Sequence, residues 1–267
     1  MKLTQFGISL TAALAFAASM PALLITPHAS AGTTHQEVDD QSDYRIHVDL
    51  GHQLNKDRFK DVRVTVDNGV ITLTGNVALL ADREAAEKKA IHAKKDVAVR
   101  NEIRITGARI SDEDLQATLV KKMQYDRVGY GTTAFNAISV SVRDGIVTLG
   151  GHAYGPMDKS SALSVASYTP GVQDVVDEID EDPTSPNDDM IRLRVARLVY
   201  GYPSLSKYAM DPGKPIRISV QNGNVTLYGS VDSQADRDIA GIRANSAAGT
   251  FKVTNELIVE GAISERD

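Results

Sequence analysis

The side chains in this sequence that could carry chemistry are few and scattered. There is no cysteine, which removes thiol nucleophiles, zinc–thiolate centres and any disulfide framework. It also removes an acylated lipoprotein N-terminus, which needs a cysteine. Of the six histidines, His35, His47, His52, His92 and His152 are dispersed along the chain beyond the apolar N-terminal run. His47 and His52 lie five residues apart, off the i, i+4 spacing of a helical metal pair. No Gly-x-Ser-x-Gly elbow, Walker loop or Gly-x-Gly-x-x-Gly fingerprint occurs, and Gly129-Tyr130-Gly131 lacks both the third glycine and a preceding strand. No nucleophile–base pair can be assembled, so the sequence predicts no catalytic residues, no metal and no cofactor.

Aromatic residues are more suggestive. The chain has nine Tyr and five Phe, and they are unevenly placed. Tyr125, Tyr130 and Phe135 cluster in one segment, and Tyr200, Tyr202 and Tyr208 in another. A tyrosine joins an apolar body to a polar tip, which suits a bilayer interface or a polar ligand. Arg127, Arg143, Arg192, Arg194, Arg197, Lys207, Lys214 and Arg217 lie nearby and could meet anionic head groups. Tyr130, Phe135, Tyr200, Tyr202 and Tyr208 are therefore the candidate binding residues, for lipid or for a protein partner. The competing reading packs these rings onto their own domain or a neighbouring one.

The elements that must position these residues announce themselves by repetition. Asp67–Gly75 reads DNGVITLTG, and it returns as RDGIVTLGG at Arg143–Gly151 and QNGNVTLYG at Gln221–Gly229. The first glycines Gly69, Gly145 and Gly223 are 76 and 78 residues apart, and the closing glycines Gly75, Gly151 and Gly229 repeat both spacings. That period suits a small domain rather than a solenoid repeat. Asn68-Gly69, Asp144-Gly145 and Asn222-Gly223 supply the positive φ values that a type I′ hairpin turn needs at both central positions. Alternating Val62, Val64 and Val66 precede the first turn, with Ile138, Val140 and Val142, then Ile216, Ile218 and Val220, before the others. Period-two alternation predicts an antiparallel pair covered on one face only. The closing glycine reads as strand geometry: a bulge or a tight exit.

Helix signals complete each copy. Ile46, Leu50 and Leu54 share one face of a helix around Tyr44–Leu54, and Ala81–Ala93 has strong helix propensity. Ser111 is a plausible N-cap ahead of Asp112, Glu113 and Asp114, where the helix dipole favours acids. Further helices are expected over Met157–Tyr168, around Ile191–Val199 and over Ala235–Ala248. A third strand closes each copy. The predicted fold is α+β: three tandem αββαβ sandwich domains, each a small three-stranded mixed sheet with two helices on one face. The boundaries are 44–107, 111–181 and 189–261. Between the last two, 182–188 carries acids with Pro183 and Pro186 and reads as a solvated linker. A calcium loop there would need regular oxygen spacing and a glycine at its sixth position, which it lacks.

At the N-terminus, Lys2 is followed by an apolar run, and Ala29-Ser30-Ala31 fits a small-residue cleavage site. Residues 1–31 are thus expected to be a signal peptide cleaved after Ala31, and 32–43 a disordered leader. An uncleaved anchor is the alternative, since Pro21 and Pro27 interrupt the run. The formal net charge of −6 argues against a general nucleic-acid binder.

The order αββαβ, the hairpin (D/N)-G-x-(I/V)-T-L-x-G, the Ala- and acid-rich second helix and the final V-x-N-x-(I/L) strand resemble the BON domain family. Asn68–Gly75 and Asn222–Gly229 carry the hairpin motif in full, and Asn101-Glu102 and Asn255-Glu256 carry the closing strand. The second copy departs there with Asp177-Glu178, and copies two and three carry insertions before the hairpin, at Tyr125–Asn136 and Gly201–Pro215. The resemblance implies a non-enzymatic periplasmic module that contacts anionic phospholipid membrane and supports the envelope under osmotic or other stress. A protein-interaction or chaperone-like role without direct lipid contact is the alternative. It transfers no catalytic residues and implies no cofactor.

Overall fold

The computed structural model describes residues 33–93, 98–107, 109–127 and 131–260. The expected signal peptide and Tyr130 lie outside the described residues. Domain one comprises α1 (Thr33–Gln53), β1 (Val62–Asp67), β2 (Val70–Val77), α2 (Leu80–Ala93) and β3 (Ala98–Ile105). Domain two repeats the order with α3 (Asp112–Tyr125), β4 (Ala137–Arg143), β5 (Ile146–Ala153), α4 (Pro156–Ser167) and β6 (Asp174–Glu181). Domain three has α5 (Pro186–Tyr200), a short α6 (Lys207–Met210), β7 (Arg217–Gln221), β8 (Asn224–Val231), α7 (Gln234–Asn245) and β9 (Lys252–Val259). Each sheet places the middle strand of its domain at the centre, antiparallel to the first strand and parallel to the third.

Local sequence chemistry explains the hairpins. Asn68, Asp144 and Asn222 take φ of 49°, 53° and 52°, each followed by a glycine with positive φ. The closing glycine answers to a contact. A Cβ on Gly75 would run into the Asp61 carbonyl oxygen, one on Gly151 into that of Ala137, and one on Gly229 would sit 2.7 Å from that of Pro215. No other residue fits beneath the start of the first strand. Small residues also let the second helix lie close on the sheet: Ala86 and Ala90, Ala162 and Ala166, and Ala240 and Ala244 are fully buried at i, i+4.

Two carboxylates per repeat, neither visible as a motif, and one polar residue of the third strand lock the layers together. Asp43, Asp112 and Asp188 each accept a hydrogen bond from the amide of the hairpin glycine, at 3.2, 2.9 and 2.8 Å. Asp82, Asp158 and Asp236, near the start of each second helix, are buried and pin the segment preceding the hairpin. Their partners are Arg58 for Asp82, Arg127, Thr132 and Asn136 for Asp158, and Tyr208 and Lys207 for Asp236. On the third strand, Asn101 and Asn255 each donate to a carbonyl of the second helix, at Arg83 and Arg237. Asp177 cannot donate, and it pairs instead with the Lys159 ammonium at 3.0 Å. Burial opposes ionisation of Asp177, but the Ile179 amide and Lys159 outweigh it and hold the carboxyl below its usual range.

Two boundaries differ from the sequence reading. The leader is helical from Thr33, as the beginning of α1. The segment 182–188 is no solvated linker: Ser185 caps α5, and Asp182 and Asp188 are each 2% exposed. Asp182 accepts from Arg192 at 3.2 Å, Ser219 at 2.9 Å, the Val220 amide at 3.2 Å and Gln221 at 3.0 Å. It joins domain two to the edge strand of domain three. Domain three therefore begins at Pro186. Domains one and two share a core contact as well, since Leu80 from α2 is buried in the core of domain two.

Candidate functional site

The structure turns the loop aromatics inward. Tyr208 is 3% exposed in the core of domain three, and its hydroxyl donates to Asp236 at 2.9 Å. The Tyr200 hydroxyl donates to the Ile216 carbonyl, and burial drives its pKa upward. Tyr202 packs on the same core under the Arg243 guanidinium, 5.5 Å from the ring centroid. Phe135 packs on it from domain two and contacts Tyr154 at 5.7 Å between centroids. These four rings build the second and third domains together and do not form an exposed contact surface, which corrects the expectation from sequence. Hydrophobic burial wins because the apolar bodies of these rings leave water against the domain-three core.

Six of the eight cations expected beside them are likewise engaged, and Arg143 and Arg197 are exposed. Arg192 is 1% exposed, between Asp182 and Asp189. Arg217 donates to the carbonyls of Thr133 and Asn136, and burial lowers its pKa. Lys207 bridges Asp232 and Asp236, Lys214 pairs with Glu260, and Arg127 with Asp158. Arg194 donates to the Ala248 carbonyl.

A broad concavity lies elsewhere, on the helical face of domain two. Thr118, Lys121, Lys122 and Tyr125 form an i, i+3, i+4, i+7 stripe on α3, flanking the buried Leu115 and Leu119. Val165 on α4 and Tyr168 just beyond it face them across a groove of about 800 Å³. Tyr125 is 57% exposed and Tyr168 is 56% exposed. Two bonds tie the walls: Lys122 to the Thr169 hydroxyl at 2.9 Å, and the Ser161 hydroxyl to Asp126 at 2.8 Å. Lys121 has no ion-pair partner among the described residues.

Tyr168 is also shared with a second concavity, about 420 Å³, between α2 and α4. Ala81, Ala85, Leu163 and Val175 give it an apolar floor, with Glu84, Lys88 and Ser167 at its rim. Burial raises the Glu84 pKa, although Ser167 donates to that carboxylate at 3.2 Å. The two hollows make one surface of exposed tyrosines, an apolar floor and lysines at 88, 121 and 122. The i, i+3, i+4, i+7 spacing on α3 could have marked it in the sequence. Tyr168, just past the end of α4, carried no such signal.

No catalytic arrangement accompanies this groove, and among the described residues no three His, Asp or Glu side chains gather as a metal site. Among those residues, too, no helix is long and apolar enough to cross a membrane. Comparison with protein-family models matches the BON domain at 42–107, 111–183 and 203–261. The chain belongs to the BON domain family. The third match starts after α5, although Ile191, Val195 and Val199 of that helix are buried in the core of domain three. This BON protein matches no curated protein. Among solved structures it is similar to CdsD, a structural protein of the type III secretion system of Chlamydia trachomatis. That match has 16% identity, covers 84% of this chain and 98% of that one, and has a TM-score of 0.23. The C-terminal domain of the same protein matches at 17% identity over 79% of this chain and 96% of that one, also at 0.23.

Proposed function

We propose that this BON protein is a non-enzymatic, exported envelope protein that contacts anionic phospholipid surfaces and supports the envelope under osmotic or other stress. The observation that carries the reading is the α3–α4 groove, where Tyr125 and Tyr168 stand exposed beside Lys121 and Lys122. Tyrosine rings settle at the head-group level of a bilayer, and each lysine near an anionic surface contributes about 1 kcal/mol. The apolar-then-small-residue N-terminus up to Ala31 supports export to the periplasm. Co-sedimentation with anionic and zwitterionic vesicles across a salt series tests the contact. Binding to anionic vesicles that fades with salt is expected, and weakens in Lys121→Ala/Lys122→Ala. Equal or absent binding to both vesicle types rejects it.

A protein-binding reading rests on a different observation. Leu193 on α5 and Ile242 on α7, helices that pack together, are 57% and 67% exposed, and Phe251 is 86% exposed. Such apolar exposure suits capture of unfolded envelope proteins. Slower client aggregation that is lost in Leu193→Ser/Ile242→Ser supports this role; aggregation unchanged by the protein excludes it.

A further inference from the structure

In each domain the third strand forms one edge of the sheet, and an edge left open is a template for another strand. Two of these edges are guarded by the fourth residue of the second helix. In domain three, Arg237 donates to the carbonyls of Leu257 at 2.8 Å and Asn255 at 3.1 Å. In domain two, Lys159 donates to the carbonyl of Ile179 at 2.8 Å. The equivalent residue of domain one, Arg83, is turned away to Asp174 of domain two, 3.1 Å distant. No side chain among the described residues reaches the corresponding carbonyls of Asn101 and Ile103. The β3 edge is thus the one of the three whose guard is diverted.

We propose that β3 is a self-association strand, pairing antiparallel with β3 of a second copy about Asn101 and extending two three-stranded sheets into one of six. The sequence of the strand selects that occupant and that register. With Asn101 opposite Asn101 of the second copy, Val99 lies opposite Ile103, and Arg100 lies opposite Glu102 in both directions. Arg100, Glu102 and Arg104 are exposed and occupy one face. Directly opposed side chains in such non-hydrogen-bonded pairs lie close enough for an ion pair. Two complementary Arg–Glu pairs form by symmetry, as an isologous interface requires.

The backbone agrees with the same register. The Ile103 amide is already held by the Asn101 side chain at 3.2 Å. The pairing leaves that bond intact and uses the remaining outward groups: the amides and carbonyls of both Asn101 residues, and the Val99 amide on the opposite Ile103 carbonyl. Helix α2 overlies β2 and β3. A strand spacing of about 4.8 Å therefore brings the two α2 helices to about 10 Å, the distance at which helices pack.

Light scattering and sedimentation velocity on the purified protein test the pairing. A concentration-dependent dimer is expected. Glu102→Arg, at an exposed position, sets like charges opposite each other and raises the dissociation constant about tenfold or more. Arg100→Glu/Glu102→Arg restores the dimer by exchanging the pairs. Asp174→Ala releases Arg83 to guard the edge and weakens it. Because the chain has no cysteine, a mixture of Arg100→Cys and Glu102→Cys proteins should cross-link faster than either alone. A monomer at all concentrations, a dimer indifferent to Glu102→Arg, or cross-linking no faster in the mixture overturns the proposal. Thermal melting of each variant at low concentration, matching the parent, separates lost pairing from lost folding.

Discussion

Replacing Asp182 by alanine should be among the most damaging single changes in the chain. Its carboxylate has a side-chain exposure of 0%, against 1% for Arg192. Removing it leaves the Ser219 hydroxyl and the Val220 amide short of an acceptor in a buried place, while the Gln221 amide keeps its contact with His152. Arg192 keeps Asp189 and the Val220 carbonyl. Breaking one side of a buried ion pair costs about 3–5 kcal/mol when the remaining charge is stranded, and the contact of Arg192 with Asp189 puts this case at the lower end. Each orphaned donor adds about 1–3 kcal/mol when isolated, although members of one network do not add independently. A total of about 4 kcal/mol follows. If domains two and three unfold as a unit, that lowers Tm by about 8–16 °C. Scanning calorimetry reads the shift, and limited proteolysis near Pro183 reads the loosened joint. Asp182→Ala/Arg192→Met should recover part of the loss, since an apolar pair avoids the stranded charge. A Tm within about 2 °C of the parent for Asp182→Ala would refute the view that this residue joins the two domains.

Two further outcomes are expected. Gly75→Ala forces a Cβ into the Asp61 carbonyl at φ 111°, whereas Gly223→Ala meets nothing nearer than 3.4 Å at φ 78°. Urea denaturation should show Gly75→Ala losing more than about 3 kcal/mol, with Gly223→Ala losing about 1–2 kcal/mol of backbone strain; the reverse order would contradict the close-approach argument. Burial disfavours ionised Asp236, but Lys207 and the Tyr208 hydroxyl outweigh it and hold its carboxyl below the usual range. A carboxyl with a depressed folded value stabilises above its unfolded value of about 3.9 and loses that contribution as pH falls through the folded value. The Tm difference between parent and Asp236→Asn should therefore be largest above about pH 4 and close below it.

Much of the fold was legible because its signals are local. The turn pairs Asn68-Gly69, Asp144-Gly145 and Asn222-Gly223 fix backbone angles within two residues, and each forms the expected turn. Ser111 caps α3 by accepting from the Asp114 amide three residues on. The segment 182–188 misled for the opposite reason. Acids and prolines usually face water, yet Asp182 meets Arg192 once α5 has formed, and Ser219 and Gln221 only after the chain returns in β7. The loop tyrosines misled in the same way, since a ring suited to a membrane surface is equally suited to a protein core. Tyr208 meets Asp236 across 28 residues, a pairing that no spacing rule reveals. Asp177, read as a departure from the repeat, is matched by Lys159 where the other copies have arginine.

The α3–α4 groove is the surface that we propose meets anionic lipid. The chain contains no tryptophan, so Tyr168→Trp, at a half-exposed position, places a single reporter in it. Titration with anionic vesicles at low salt should shift the indole emission to the blue and should reverse as salt is added. Zwitterionic vesicles should leave it unchanged. An emission that stays at its aqueous position, while the protein still sediments with anionic vesicles, would show that the membrane meets some other face.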